Sequence, residues 1–91
     1  MTSLDIEPDK LRSMIHRLRR IEGQARGLQK MLEEGRPCED IITQLAAMRS
    51  ALNKVGLSLV AENLAQCFQI EDENRRREAL ERVRKSFLQL L

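Results

Sequence analysis

Ninety-one residues allow one domain at most, and the near-balanced charge (16 basic, 14 acidic, net +2) hides a strong asymmetry along the chain. With no tryptophan or tyrosine and two phenylalanines, any core must be aliphatic, with methionine filling gaps. No stretch is apolar for long enough to span a membrane and no signal peptide is visible, so a cytoplasmic protein is expected, in which two cysteines read as redox or metal chemistry rather than a structural disulfide.

The first segment, Met1 to Glu7, reads as frayed. Pro8 suits the first turn of a helix, and Asp5, Glu7 and Asp9 complement its positive end. Leu11, Met14, Leu18, Ile21, Ala25, Leu28 and Leu32 then step by three and four, a heptad seam for packing on another helix. The opposite face carries Arg12, Arg17, Arg19, Arg20, Arg26 and Lys30 against Glu22 alone. Gly23 and Gly27 suggest a close approach by another backbone, because each costs about 1 kcal/mol relative to alanine inside a helix. Gly35 fits a C-terminal cap.

A second, longer helix is expected from Pro37 to Ile70. Pro37 suits its first position and Glu39 and Asp40 its first turn. Apolar residues recur at Ile41, Leu45, Met48, Leu52, Val55 and Leu59, a helical period. Cys38 falls in the first turn, where free backbone N–H groups and nearby Arg36 favour a thiolate while Glu39 and Asp40 oppose it. Cys67 lies near the other end, sharing a face with Asn63 four residues before it. At about 1.5 Å per residue the two cysteines sit roughly 43 Å apart, yet their directions differ by only about 20°. A second copy laid antiparallel across a two-fold axis brings Cys38 to the partner's Cys67. The same register pairs Ile41 with Leu64, Leu45 with Val60, Met48 with Leu57 and Leu52 with Asn53. A dimer with two identical thiol pairs follows; the plainer alternative is that each cysteine is only a small core hydrophobe.

Glu71 to Asn74 interrupt the pattern. A third helix is expected from about Arg75, with Leu80, Val83, Phe87 and Leu90 as its stripe and Arg75, Arg76, Arg77, Arg82, Arg84 and Lys85 as its basic side. The fold class is therefore all-α, a three-helix protomer whose first two helices form an antiparallel hairpin, with residues 1–91 as a single domain. The segments 1–36 and 75–91 carry net charges of +2 and +4, whereas 37–74 carries −4. Basic charge gathered at the two ends is a footprint of polyanion binding; a solvated helix face is the commoner meaning of any one such run.

Two cysteines and one distant histidine, His16, do not make a four-ligand zinc site. Copper(I), which prefers thiolates, could use Cys38 with the partner's Cys67, but Asn63 is a poor third ligand. Neither cysteine has a base beside it, so an enzyme is not expected. A small helical dimeric enzyme of chorismate-mutase-like type would need charged groups inside the seam, and a purely structural adaptor leaves the paired cysteines unexplained.

Residues 17–52, RLRRIEGQARGLQKMLEEGRPCEDIITQLAAMRSAL, and residues 62–67, ENLAQC, resemble the CsoR/RcnR family of small all-helical bacterial repressors. The resemblance implies dimers that pair into tetramers, operator DNA bound without a helix-turn-helix, and release by an inducer at Cys38. It implies Arg17, Arg19, Arg20, Arg49 and Lys54 as DNA-binding residues, Arg17 and Lys54 foremost, with Arg26, Lys30 and the third helix's basic cluster secondary. Copper-sensing members are similar but carry histidine where this chain has Asn63. Formaldehyde-sensing members have proline after the initiator methionine and no second cysteine, whereas this chain has Thr2 and Cys67. The Cys…Asn-x-x-x-Cys arrangement looks like the CstR-like persulfide-sensing branch, which represses sulfide-detoxification genes. On that reading no resident cofactor is expected. Cys38 takes sulfane sulfur from a persulfide or polysulfide, Cys67 of the neighbouring subunit closes the bridge, and Asn63 and Arg36 flank the thiols. Copper(I) held by Cys38 and Cys67 is the alternative.

Overall fold

A computed structural model describes residues 6–91, which form three helices: α1 (Pro8–Glu33), α2 (Cys38–Cys67) and α3 (Glu73–Gln89). There is no strand among the described residues, and no helix there is long and apolar enough to cross a membrane. The all-α, three-helix expectation holds. The chain divides into two compact units, Pro8–Val55 and Gly56–Leu91, the latter with the described part of Met1–Glu7.

The first unit is a helical hairpin. α1 starts at Pro8 and ends in a glycine-capped turn. Gly35 has φ 68°, its N–H donates to Leu32 O at 3.2 Å, and the Arg36 N–H donates to Met31 O at 3.0 Å. That pair of bonds occupies carbonyls the helix end leaves open, and only glycine adopts the left-handed backbone there at little cost. Pro37 precedes α2 rather than opening it: its carbonyl accepts from Asp40 N–H at 3.1 Å and Ile41 N–H at 3.3 Å. Cys38 is thereby the first residue of α2. The heptad seam of α1 is half buried. Met14, Ile21 and Leu28 form one covered ridge, whereas Leu11, Leu18 and Leu32 are exposed. Two ridges look alike in a sequence whether the chain or another subunit covers them, and in the single chain one stays open. A side chain at Gly23 or Gly27 would meet nothing within 4 Å, so no backbone among the described residues makes the expected close approach.

In the second unit the end of α2 and α3 pack together. Helix α2 stops at Cys67, three residues short of the expected Ile70, because Gln69 N–H and Ile70 N–H turn back to Gln66 O and Cys67 O at 3.0 and 3.1 Å. α3 begins at Glu73, earlier than Arg75, because Asp72 caps it: the carboxylate accepts from Arg75 N–H at 2.9 Å. Asp72→Ala should cost about 1 kcal/mol of stability, read from the urea midpoint, with the first turn of α3 exchanging amide hydrogens faster. Arg76 ties the connection down by donating to Ile70 O at 3.0 Å. Cys67, Ala79 and Val83 form the buried cluster, with Val60, Ile70 and Leu80 packed against it. At the far end of α3 the backbone of Gly56 accommodates Leu90, whose Cδ2 would lie 2.8 Å from any added Cβ. On the solvent face Glu81 accepts from Arg84 at 2.5 Å, which holds its carboxyl below the ordinary range. Ile6 is buried, so the expectation of fraying fails at that residue; Met1 to Asp5 lie outside the described residues.

Candidate functional site

Within the hairpin unit the basic residues are not one patch. Arg17 and Arg20 of α1 and Lys54 of α2 line a single hollow of about 300 Å³ in the hairpin unit, with Gln24, Ser50 and the apolar Ile21, Ala47 and Ala51. No carboxylate lines it. The spacing explains the gathering: Arg17, Arg20, Ile21 and Gln24 lie three or four apart on α1, as do Ala47, Ser50, Ala51 and Lys54 on α2. Three cations around one hollow raise the local positive potential, the field a polyanion requires. Gln24 and Ser50 were not among the expected binding residues. Gln24 contributes a carbonyl oxygen, Oε1, that is buried without a hydrogen-bond partner in the described chain.

Arg49 sits elsewhere, beside Ile42, Leu45, Ala46, Met48 and Leu52 along a mainly apolar groove, and Arg19 is exposed but lines neither hollow. Arg26 is neutralised in part by Glu22 at 3.8 Å, and Arg12 pairs with Asp9. In α3, Arg77 pairs with Glu73 at 3.3 Å and Arg84 with Glu81. His16 is exposed. Such exposed pairs add little to stability, but each lowers the charge offered to a partner.

The two cysteines have opposite surroundings. Cys38 is exposed at the start of α2, and Cys67 is buried, 3% exposed, at its end. Arg36, expected beside the first thiol, reaches Asp40 at 3.9 Å, so its charge is shared with a carboxylate. Asn63 is exposed although it shares a helical face with buried Cys67, because α3 covers the last turn of α2. Among the described residues no group of three or more His, Cys, Asp or Glu is placed to hold a metal ion within the chain. The two thiols stand at opposite ends of one continuous helix.

A family model described as a metal-sensitive transcriptional repressor matches residues 10–89. The chain belongs to that family. The family's copper-sensing transcriptional repressor RicR of Mycobacterium tuberculosis is 51% identical over 51 residues, 56% of this chain and 53% of that protein. The copper-sensing transcriptional repressor CsoR of Bacillus subtilis is 44% identical over 52 residues, 57% of this chain and 52% of that protein. The chain thus spans about half the length of these curated relatives. Solved structures match over more of the fold. The copper-sensing repressor CsoR with Cu(I) from Geobacillus thermodenitrificans superimposes with a TM-score of 0.80 at 32% identity, covering 97% of this chain and 93% of that one. The nickel-responsive transcriptional regulator InrS gives 0.77 at 28% identity, covering 100% and 99%. The family fold is therefore present from α1 through α3.

Proposed function

We propose that residues 1–91 act as one operator-binding and inducer-sensing domain, working in the cytoplasm as an oligomer and without enzymatic activity. The hollow between Arg17, Arg20 and Lys54 carries this reading, as a cationic surface free of lining carboxylates on a chain of repressor family. Arg19 and Arg49 extend the DNA contact beyond the hollow. The oligomer is an antiparallel dimer that pairs into a tetramer. Supporting it, Leu11, Leu18 and Leu32 on α1 and Leu45, Leu52, Leu57 and Leu64 on α2 are all exposed in the single chain, and apolar ridges of this kind are covered by association.

The inducer site is Cys38 of one subunit with Cys67 of the partner. Copper(I) is the inducer best supported, because curated relatives and a solved neighbour are named as copper-sensing. Two thiolates suit copper(I) by softness, but Asn63 offers only an amide where the third donor is needed. That residue favours a second reading, in which a persulfide bridges the same two sulfurs and the genes released serve sulfide detoxification. Asn63→His separates the two. If copper is the inducer, the natural protein binds copper(I) tightly in a chelator competition and binding releases operator DNA. If a persulfide is, the natural protein competes weakly and the histidine variant gains roughly tenfold or more in affinity, the size of effect an added ligand shell residue commonly has.

A further inference from the structure

We infer that the hollow between Arg17, Arg20 and Lys54 is a seat for one phosphate group of a DNA backbone, and that the uncharged Gln24 and Ser50 complete its donor set. The inference rests on the operator-binding reading above and adds two residues to it. A phosphodiester oxygen accepts hydrogen bonds and donates none, so its seat needs donors and no competing acceptor. Arginine and lysine side chains are donors only. Around this hollow they are joined by an amide, a hydroxyl and three apolar residues, with no carboxylate.

Gln24 is the side chain that decides the match, because an amide carries a carbonyl oxygen as well as an NH2 group. Its Oε1 is buried and has no hydrogen-bond partner. With the oxygen turned inward, the NH2 group is what the amide has left for the hollow. Turning the amide over would bury N–H groups in place of a carbonyl, and orphaned buried N–H groups are the rarer of the two in proteins. The covered acceptor thus keeps the lining to donors. The Ser50 hydroxyl rotates to suit its partner and donates to an anion. A neighbouring hollow of about 340 Å³ gives the contrast. It shares Gln24 and adds Lys30 and Arg36, but Glu34 lines it as well, and Arg36 lies 3.9 Å from Asp40. A carboxylate in the wall repels a phosphate, so the seat is the first hollow and not the second. There α1 supplies Arg17, Arg20 and Gln24 and α2 supplies Ser50 and Lys54, so one anion is held from two helices. Contacts of this kind fix the register of a protein on a duplex and carry no sequence information.

The test uses the full-length protein and a duplex it enriches from a pool with a randomised centre. That duplex is then remade with a neutral methylphosphonate at each backbone position in turn. Gln24→Met keeps the side chain's length and loses its donor; it should weaken binding about tenfold, and Ser50→Ala about threefold. Neither should change the salt slope, because neither residue displaces a counterion. Both should weaken binding to random-sequence DNA by the same factors. At a few backbone positions, the same ones for both variants, the methylphosphonate should shrink these losses, the non-additivity of groups in contact. Unchanged binding by Gln24→Met, an altered salt slope, or a loss confined to one base sequence overturns the seat. So does a loss that no methylphosphonate position shrinks, the result expected of a purely structural residue or of a free phosphate in the hollow. Should Gln24→Met lose its helicity, Ser50→Ala, exposed on α2, is read alone by the same criteria. If Arg17→Ala binds as the natural protein does, the operator reading fails; if it weakens binding and Gln24→Met does not, only the donor set fails.

Discussion

Arg17→Ala should lower operator affinity by on the order of 100-fold at moderate salt, and flatten the salt dependence of log K by about 0.9 for each phosphate contact removed. The substitution is multiplied by symmetry, since every subunit of an oligomer loses the same contact. The fold should be spared, because Arg17 is an exposed α1 residue. Circular dichroism and sedimentation should therefore match the unmodified protein. Lys54→Ala, facing the same hollow from α2, should behave alike, and the two losses should not add fully because the cations share one field. Arg12→Ala is the control: Arg12 is already paired with Asp9 and lies outside the hollow, so affinity should change little. Normal binding by Arg17→Ala, with an unaltered salt slope, would move the DNA surface elsewhere, with the α3 run Arg75 to Arg77 the next to test.

What a sequence discloses and what it hides are both visible in this chain. Pro8, Gly35 and Pro37 bracket two helices because their backbone constraints act locally, and the structure follows them to within a residue. The end of α2 was harder. Ile70 continues the apolar pattern, but the chain has to turn after Cys67 to bring α3 back, and that requirement lies in residues a dozen positions away. The same distance decides between the two readings of the cysteines: the small-core-hydrophobe alternative describes Cys67, which is buried, and not Cys38, which is exposed. Cys67 packs on Ala79, a residue whose small size carries no periodic signal, and sharing a helix face with Asn63 does not give the two residues the same exposure. The basic residues show a third limit. Arg17, Arg19 and Arg20 are close in the sequence, yet only Arg17 and Arg20 line one hollow with Lys54, because at about 100° per residue positions three apart lie about 60° from each other while Arg19 lies about 160° from Arg17.

Mutation of either cysteine should change induction completely, and the products distinguish the two inducers. Helix α2 is continuous from Cys38 to Cys67, and at about 1.5 Å per residue the sulfurs lie roughly 43 Å apart along it. A disulfide needs Cα atoms about 4.4–6.8 Å apart, so no bridge can form within one chain while the helix stands. With a persulfide, the Cys38 thiolate attacks the outer sulfur and the donor leaves as a thiolate. The Cys67 thiolate of the partner then attacks the Cys38 sulfur, forming the disulfide and expelling hydrosulfide; longer sulfur chains leave one or two extra sulfur atoms in the bridge. Covalent dimers should appear on non-reducing gels, with linked Cys38 and Cys67 peptides carrying zero to two added sulfurs. Cys38→Ser should abolish modification and release together, because the accessible nucleophile is gone. Cys67→Ser should still be persulfidated at Cys38 but stay monomeric on the gel and bound to operator. Copper(I), by contrast, should release the natural protein with no covalent product and let it rebind once a chelator is added, and either serine variant should lose that response. Both routes act on DNA only through a difference in operator affinity between the joined and separate forms, roughly 10⁴-fold if occupancy is to swing from 99% to 1%. Release should accordingly track joined subunits and not total thiol oxidation. Linked peptides from within single chains would refute the antiparallel register, and release of the double serine variant by either inducer would refute the site itself.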